Sequence, residues 1–273
     1  MMTQSLAYRL PQIYCNDLFD LKLSLRQDTM NNDVETSTIE MDLHGIQQLK
    51  SQIVTQISHE FRTPLTSIIG FAAMLEENKR INEKQRAECA HFIRSEGLRL
   101  AKIVSDLIEL DAIEQGHTQF LFEESEIQKV IYRSAALIIG TALSKSITIT
   151  KEIPSDPIIS KCDSDKLTNA LYQVLHNAIR FTKPGGSVIL KAETMDHRVR
   201  ISVKDDGPGI PEKDIPLLFK RFGKLYRPNE ESHGTGVGLA LAKHIIDQHG
   251  GDISVHSQVG EGSTFTIQIP IIL

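Results

Sequence analysis

Cysteine is scarce in this chain of 273 residues, and its three copies stand far apart in the sequence. They are Cys15, Cys89 and Cys162. Because no two of them form a CxxC pair, the sequence favours neither a disulfide framework nor a zinc knuckle. A reducing compartment, the cytoplasm, fits this cysteine pattern best.

Long apolar runs are lacking as well. The longest, SIIGFAAML and AALIIGTAL, are far shorter than the ~18 to 20 residues that a membrane-spanning helix needs. Arg9 and Pro11 lie where a signal peptide would need an unbroken apolar region. We therefore expect a soluble chain without a direct membrane span.

A strong excess of either charge is also absent. The formal net charge is −5, and acidic and basic residues are interspersed, so no basic face indicates nucleic acid as a partner. With 40% apolar and 24% charged residues, the composition is that of an ordinary globular protein. The length is sufficient for two compact units.

The region before Gly116 has a helical pattern. At ~100° per residue, six apolar residues fall within about 80° of one another. They are Ile57, Phe61, Leu65, Ile68, Ala72 and Leu75. A second helical run, reaching about Glu114, repeats apolar residues every seven positions at Ile93, Leu100 and Leu107. Two such helices predict an antiparallel hairpin, and since one hairpin cannot cover its own stripe, we expect a dimeric four-helix bundle.

After Gly116 the pattern changes to short β-branched runs between helical segments. Strands are expected at TQFLF, ITITKEI, PIISKC, SVILKAE, RVRISVKD, DISVHS and STFTIQIPI, and helices at about 126–143, 164–181 and 235–249. The predicted fold class is α+β, a helical hairpin followed by an α/β layer domain. The expected domains are 39–117 and 118–273, and 1–38 is a segment of unknown role, such as the remnant of a sensor or a linker.

The stretch SHEFRTPL, residues 58–65, interrupts the apolar repeat with polar residues. His59 lies about 200° around the helix from Ile57, and Thr63 follows on the same face one turn later, so we expect both to face water. A neutral imidazole can attack an electrophile, and Glu60 can accept its proton. Thr63 stands where an HExxH metalloprotease has its second histidine, which excludes that class. A lone exposed histidine is more often simply part of a solvated surface.

Two glycine clusters follow in the second domain. KDDGPGIP, residues 204–211, ends a predicted strand, where Asp205 can accept a hydrogen bond from an exocyclic amine while Gly207 and Gly209 permit close backbone approach. GTGVGLALAK, residues 234–243, opens a helix whose N-terminal N–H groups can receive phosphates. Each cluster alone is also typical of an ordinary turn, and neither has the P-loop pattern.

Taken together, these segments resemble the sensor histidine kinases over about residues 39–273. SHEFRTPL resembles the phosphoacceptor box, LYQVLHNAIRFT the N box, DDGPGIP the G1 box, LFKRF the F box and GTGVGLALAK the G2 box, in the family's order. The resemblance implies a dimerisation and phosphotransfer hairpin followed by an ATP-binding α/β sandwich of the gyrase and histidine-kinase type. It also implies ATP and Mg²⁺ as cofactors, a homodimer, and the receiver domain of a response regulator as partner.

The resemblance further implies roles for individual residues. His59 is then the phosphoacceptor, Glu60 the base, and Thr63 the residue that orients water for phosphatase activity. Asn177 holds Mg²⁺ and Asp205 recognises adenine. The remaining nucleotide positions are Arg180, Gly207, Gly209, Lys224, Gly234, Gly236 and Gly238, and Phe219 and Phe222 pack under a lid at about 211–233.

Gln173 departs from the family, which usually has asparagine four residues before the position of Asn177. The glutamine keeps an amide oxygen but adds a methylene, which leaves its contact with Mg²⁺ open. Gyrase-type ATPases carry a glutamate there as the base for hydrolysis, a role that an amide cannot take. The sequence thus predicts a protein histidine autokinase that phosphorylates an aspartate of a separate response regulator and can also act as its phosphatase. A gyrase-type ATPase and a nucleotide-weak dimeric scaffold remain alternatives.

Overall fold

The computed structural model describes residues 55, 58, 60–77, 81–223 and 236–271. The chain divides into two compact units, Met1–Gln56 and Ile57–Leu273. All described residues except Thr55 belong to the second unit, so the hairpin and the α/β region lie within one unit. The segment 1–38 lies outside the described residues, and the domain boundary between residues 117 and 118 stays a prediction.

The hairpin consists of helix α1, which is helical over 60–77, and helix α2, Glu83–Glu114. Helix α2 begins at a reciprocal cap, in which Asn82 Oδ1 accepts the backbone N–H of Gln85 at 2.9 Å and Gln85 Oε1 accepts that of Asn82 at 3.2 Å. The rings of Phe71 and Phe92 stack with their centroids 4.8 Å apart. Since these two residues lie at similar distances on either side of the connection, the helices run antiparallel, as the sequence predicts.

The rest of the described chain alternates strands and helices. In chain order the elements are β1 (Glu123–Glu126), α3 (Ile127–Ser144), β2 (Thr148–Glu152), β3 (Ile159–Cys162), α4 (Ser164–Phe181), β4 (Ser187–Met195), β5 (Arg198–Asp205), a 3₁₀-helix (Glu212–Leu217), α5 (Gly238–Gln248), β6 (Asp252–Gln258) and β7 (Gly262–Pro270). Strand β1 pairs antiparallel with β3. A five-stranded sheet has the order β2-β4-β5-β7-β6, in which β2 is parallel to β4 and the other neighbours are antiparallel.

The core lies between this sheet and the helices α3, α4 and α5. Helix α4 packs against α3, α5 and β5. Buried and more exposed side chains alternate along β5, with the period of a strand that has one face covered. Along α4 the buried apolar residues recur every three or four positions, as at Leu167, Leu171, Val174 and Ala178. The buried faces of the helices and of the sheet pack against each other in a two-layer α/β sandwich, which is the layer domain that the sequence predicts.

One predicted strand is wrong. TQFLF, residues 118–122, is not a strand, and pairing with β3 begins only at Glu123. The rings of Phe120 and Phe122 instead pack against His249, with centroids 5.8 and 5.0 Å away. The backbone N–H of Leu121 donates to Asp163 Oδ2 at 3.0 Å. The short apolar run there contacts the beginning of α4 and the end of α5 and does not form a strand ladder.

Within the part of the chain that the structure describes, no helix combines the length and the apolar character that a membrane crossing requires.

Candidate nucleotide and phosphotransfer site

Helix α4 carries the residues predicted to face the metal and the phosphates. The residue before its first turn, Asp163, caps the helix, because Asp163 Oδ1 accepts the backbone N–H of Lys166 at 3.0 Å. Asn177 is half-buried, and its side-chain amide has no hydrogen-bond partner among the described residues. A carboxamide oxygen is a ligand that suits Mg²⁺. Asn177 therefore fits the predicted metal role. The guanidinium of Arg180, three residues later on α4, lies 4.8 Å from the centroid of the Phe181 ring.

Asp205 ends strand β5 and is buried, with 4% exposure. Its Oδ1 accepts two backbone N–H groups, that of Gly207 at 2.9 Å and that of Ser263 at 3.2 Å. A Cβ on Gly207 would lie 2.7 Å from the same oxygen, so only glycine lets the backbone approach this closely. Two bonds to one oxygen hold the carboxylate in a single orientation before any ligand arrives. This geometry suits the predicted recognition of an adenine amino group.

Two further glycines are required by backbone packing. Gly209 and Gly236 have positive φ angles of 71° and 68°. A Cβ on Gly209 would lie 1.9 Å from the carbonyl oxygen of Gln258, and one on Gly236 would lie 2.7 Å from the carbonyl carbon of Phe222. Both positions therefore exclude a side chain for conformational and steric reasons, whether or not a nucleotide is bound.

Helix α5 begins at Gly238. The N–H groups of its first turn have no partners within the helix, and together with the helix dipole they suit a phosphate. A Cβ on Gly238 would lie 2.5 Å from Oε1 of Gln173. The side chain of Gln173 therefore reaches from α4 to the end of α5 where phosphates are predicted to bind.

The described part of the phosphoacceptor box lies at the beginning of α1. The Glu60 carboxylate is mostly buried, with a side-chain exposure of 12%, and its Oε2 lies 4.0 Å from Nη2 of Arg99 on α2. Thr63 is exposed, in agreement with its expected placement. His59 lies outside the described residues, so its outward placement stays a prediction.

The sequence did not predict a polar contact between α2 and α4. Asp106 Oδ2 accepts from Nε2 of Gln173 at 3.1 Å, and Glu109 Oε2 accepts from Nδ2 of Asn169 at 2.9 Å. Burial raises the pKa of Asp106, against the opposing effect of the Lys102 ammonium. The available signal was the spacing of Lys102, Asp106 and Glu109, which places all three on one face of α2. No local pattern shows which helix that face meets.

Positive charge collects near the C-terminal part of α4. Partial burial and four neighbouring cations lower the pKa of His176 to about 4. The cations are Arg180, Lys102, Arg99 and Lys145. The His176 ring is therefore neutral at pH 7, and the positive potential around it suits an anionic ligand such as a polyphosphate.

The base of the predicted lid is part of the core. The ring of Phe219 meets that of Phe265 edge-on at 6.5 Å, and Phe222 is 7% exposed. Both phenylalanines therefore pack inward, and their position under a lid stays a prediction. Lys224 and Gly234, predicted to face the nucleotide, lie outside the described residues, as does the lid from residue 224 onward.

Two family models match the chain. The His Kinase A (phospho-acceptor) domain matches residues 49–116, and the Histidine kinase-, DNA gyrase B-, and HSP90-like ATPase domain matches residues 162–272. The chain belongs to the sensor histidine kinases. The family predicted from the sequence is thereby confirmed, as is the fold of a helical hairpin followed by an α/β sandwich.

The relatives of this histidine kinase are longer proteins. It is 32% identical to Sensor protein DivL of Caulobacter vibrioides, over 82% of this chain and 28% of DivL. It is 31% identical to Sensor histidine kinase WalK of Bacillus subtilis, over 82% of this chain and 37% of WalK. Among solved structures, it is similar to full-length ShkA in complex with AMPPNP, with 29% identity and a TM-score of 0.60, over 81% of this chain and 46% of ShkA. The chain thus spans about a third of the length of these curated relatives.

Proposed function

We propose that this histidine kinase is an ATP-dependent autokinase that phosphorylates His59 and passes the phosphoryl group to an aspartate of a separate response regulator. The observation that carries the proposal is the contact between its two parts. Helix α2 of the hairpin packs against α5 and is hydrogen-bonded to α4, and these two helices carry the candidate nucleotide residues. Phosphoryl transfer between a nucleotide and a histidine depends chiefly on such positioning.

In the first proposed step, an imidazole nitrogen of His59 attacks the γ-phosphorus of ATP. The N–P bond forms, the bond from the γ-phosphorus to the bridging β,γ-oxygen breaks, and ADP leaves. Glu60 accepts the imidazole proton. The proximity of Arg99, 4.0 Å from the Glu60 carboxylate, supports this role because it orients the carboxylate from α2. In the second step a receiver aspartate attacks the phosphorus, the N–P bond breaks, and the imidazole regains a proton.

In the proposed site, different residues bind the adenine, the phosphates and the Mg²⁺ of ATP. Asp205 accepts from the adenine amino group, and the first-turn N–H groups of α5 donate to the phosphates. Asn177 and Gln173 offer amide oxygens to Mg²⁺, which when bound neutralises charge on the phosphates. Two observations support this assignment: the amide of Asn177 has no hydrogen-bond partner among the described residues, and Gln173 Oε1 lies beside Gly238.

We also propose that the protein acts as a homodimer. Large apolar side chains remain exposed on both hairpin helices, with Leu65 at 43%, Ile69 at 66% and Ile108 at 65% exposure. An apolar surface of this kind is buried when two hairpins form a four-helix bundle. We further propose a cytoplasmic location. Its support is that Cys89 and Cys162 are buried and form no disulfide.

Incubation with γ-labelled ATP tests the proposed function. The wild type should take up label in a bond that is labile in acid and stable in alkali, and His59→Gln should take up none. His91→Gln is the matched control, because His91 is an exposed histidine elsewhere in the hairpin, and it should be labelled normally. Label on His59→Gln would contradict the assigned phosphoacceptor. Released phosphate without labelled protein would indicate a gyrase-type ATPase, and neither product would indicate a scaffold.

A further inference from the structure

The amide of Gln173 is held between the hairpin and the α/β sandwich. Its Nε2 donates to Oδ2 of Asp106 on α2 at 3.1 Å and to Oδ1 of Asn169 at 3.3 Å. Its Oε1 lies on the opposite side, 2.5 Å from the position that a Cβ on Gly238 would take. Asp106 and Gln173 are both buried, with 6% and 7% exposure. One end of the amide therefore faces the hairpin and the other faces the beginning of α5.

The chemistry of the partners determines which end faces which helix. The ammonium of Lys102 lies 2.5 Å from Oδ1 of Asp106, so the carboxylate is ion-paired and acts as an acceptor. Its second oxygen, Oδ2, needs a donor, and in the Gln173 amide only Nε2 is a donor. Because the amide oxygen and nitrogen point in different directions, this bond turns Oε1 away from α2 and toward α5.

Other side chains hold Asp106 and Asn169 in place. Lys102 Nζ donates to Asn169 Oδ1 at 3.3 Å as well as to Asp106. Asn169 Nδ2 in turn donates to Glu109, whose other oxygen accepts from Lys166 at 2.8 Å. A network in which the members are partnered in this way is more rigid than its separate pairs. The acceptor that Asp106 presents to Gln173 therefore has a fixed position.

We propose that Asp106 is a positioning residue for the nucleotide site, acting from the hairpin by aiming the Gln173 amide oxygen at the phosphates and Mg²⁺ of bound ATP. This inference rests on the proposed function, because it takes the beginning of α5 as the phosphate end of the site. It also gives a role to the departure from the family's asparagine, since the additional methylene of Gln173 carries its amide to α2. Through this bond the hairpin strengthens ATP binding, and by reciprocity bound ATP strengthens the contact with the hairpin.

A binding titration of the full chain with AMPPNP and Mg²⁺ tests the proposal without any phosphoryl transfer. Asp106→Ala should weaken AMPPNP binding by about 2- to 10-fold, the effect of losing one orienting hydrogen bond. Asp111→Ala is the matched control, because it removes another α2 carboxylate, one that contacts Gln115 and Arg221 and lies outside the network around Gln173. Its affinity should stay within about 2-fold of the wild type. Equal weakening in both variants would overturn the proposal.

A double-mutant cycle separates positioning from a general effect on the fold. Gln173→Ala should weaken binding, and Asp106→Ala should cause no further loss in the Gln173→Ala background. Asp106→Asn, whose amide oxygen can still accept from Gln173, should retain near-wild-type affinity even where Asp106→Ala does not fold. Additive losses, or weakening in Asp106→Asn equal to that in Asp106→Ala, would contradict the proposed role. A wild type that binds AMPPNP but takes up no label from ATP would contradict the proposed function alone.

Discussion

Lys145, which follows α3, donates its side-chain ammonium to the carbonyl oxygen of Arg180 in the last turn of α4, 2.7 Å away. The same ammonium donates to the carbonyl oxygens of Ile179 and Thr182 at 2.9 and 3.1 Å. The last carbonyls of a helix have no partners within the helix, so one side chain satisfies several of them here. Lys145 thereby ties the end of α4, close to Asn177, to α3.

We expect Lys145→Met to destabilise the protein. Methionine keeps an apolar stem like that of the lysine side chain and removes the ammonium. The carbonyls at the end of α4 lose a charged donor, which should lower the free energy of unfolding by about 1 to 3 kcal/mol. Lys183→Met, at an exposed lysine nearby, is the control and should change it by less than about 0.5 kcal/mol. Urea denaturation measures both values. A similar loss in the two variants would show that the cap contributes nothing specific.

Two glycine-to-alanine substitutions in helices should change the free energy of unfolding in opposite directions. An added Cβ on Gly140 in α3 meets nothing within 4 Å, so Gly140→Ala should raise the free energy of unfolding by about 0.5 to 1 kcal/mol. Gly238→Ala should lower it instead, because the new Cβ would lie 2.5 Å from Gln173 Oε1. Denaturant unfolding of both variants gives the signs. Adding Gln173→Ala to Gly238→Ala should restore much of the free energy of unfolding that Gly238→Ala loses. If the effects of the two substitutions on that free energy are simply additive, the steric explanation is wrong.

Thr63→Ala should separate the two proposed activities. Thr63 is exposed one turn after His59, close enough to orient a water at a receiver's phosphoaspartate but not required for attack on ATP. The variant should lose phosphatase activity and keep autophosphorylation, and Thr63→Ser should keep both because it retains the hydroxyl. Release of label from a phosphorylated receiver domain, alongside label uptake by the kinase, measures the two. Parallel loss of both activities would indicate a structural role for Thr63.

Asp205→Asn should weaken AMPPNP binding by about tenfold or more. The asparagine can still accept from Gly207 and Ser263, so the fold is kept, but its amino group faces the adenine amino group donor against donor. Asp206→Asn is the control, because that carboxylate accepts from Ser187 at 2.7 Å and should not affect the nucleotide. Calorimetric titration compares the affinities. Unchanged affinity in Asp205→Asn would contradict adenine recognition by this residue.

The secondary structure of the sandwich was largely predictable because its patterns are local. The helix predicted at 164–181 is observed as Ser164–Phe181, and RVRISVKD is observed as the strand Arg198–Asp205. The failed strand at 118–122 shows the limit of this reasoning. Its aromatic residues Phe120 and Phe122 pack against His249, far away in the sequence, and a short apolar run that makes such a contact looks locally like a strand.

The candidate site was predictable to the extent that its residues belong to contiguous motifs. Asp205, Gly209 and Gly236 were named from the sequence, and the structure gives each a physical reason in hydrogen bonding or in backbone packing. The carboxylates on α2 were not named, because a polar residue on an amphipathic helix looks like part of a solvated face.

The sequence by itself determined most of the helices and strands, the order of the two parts and the motif residues, because periodicity, caps and motifs act over short distances along the chain. Only the tertiary structure decided that Asp106 meets Gln173, 67 positions away, and that the Gln173 amide oxygen therefore faces Gly238. The direction of that amide depends on how α2 packs against α4 and α5. Packing between distant helices is set by the shape and charge of whole faces, which no short stretch of residues contains.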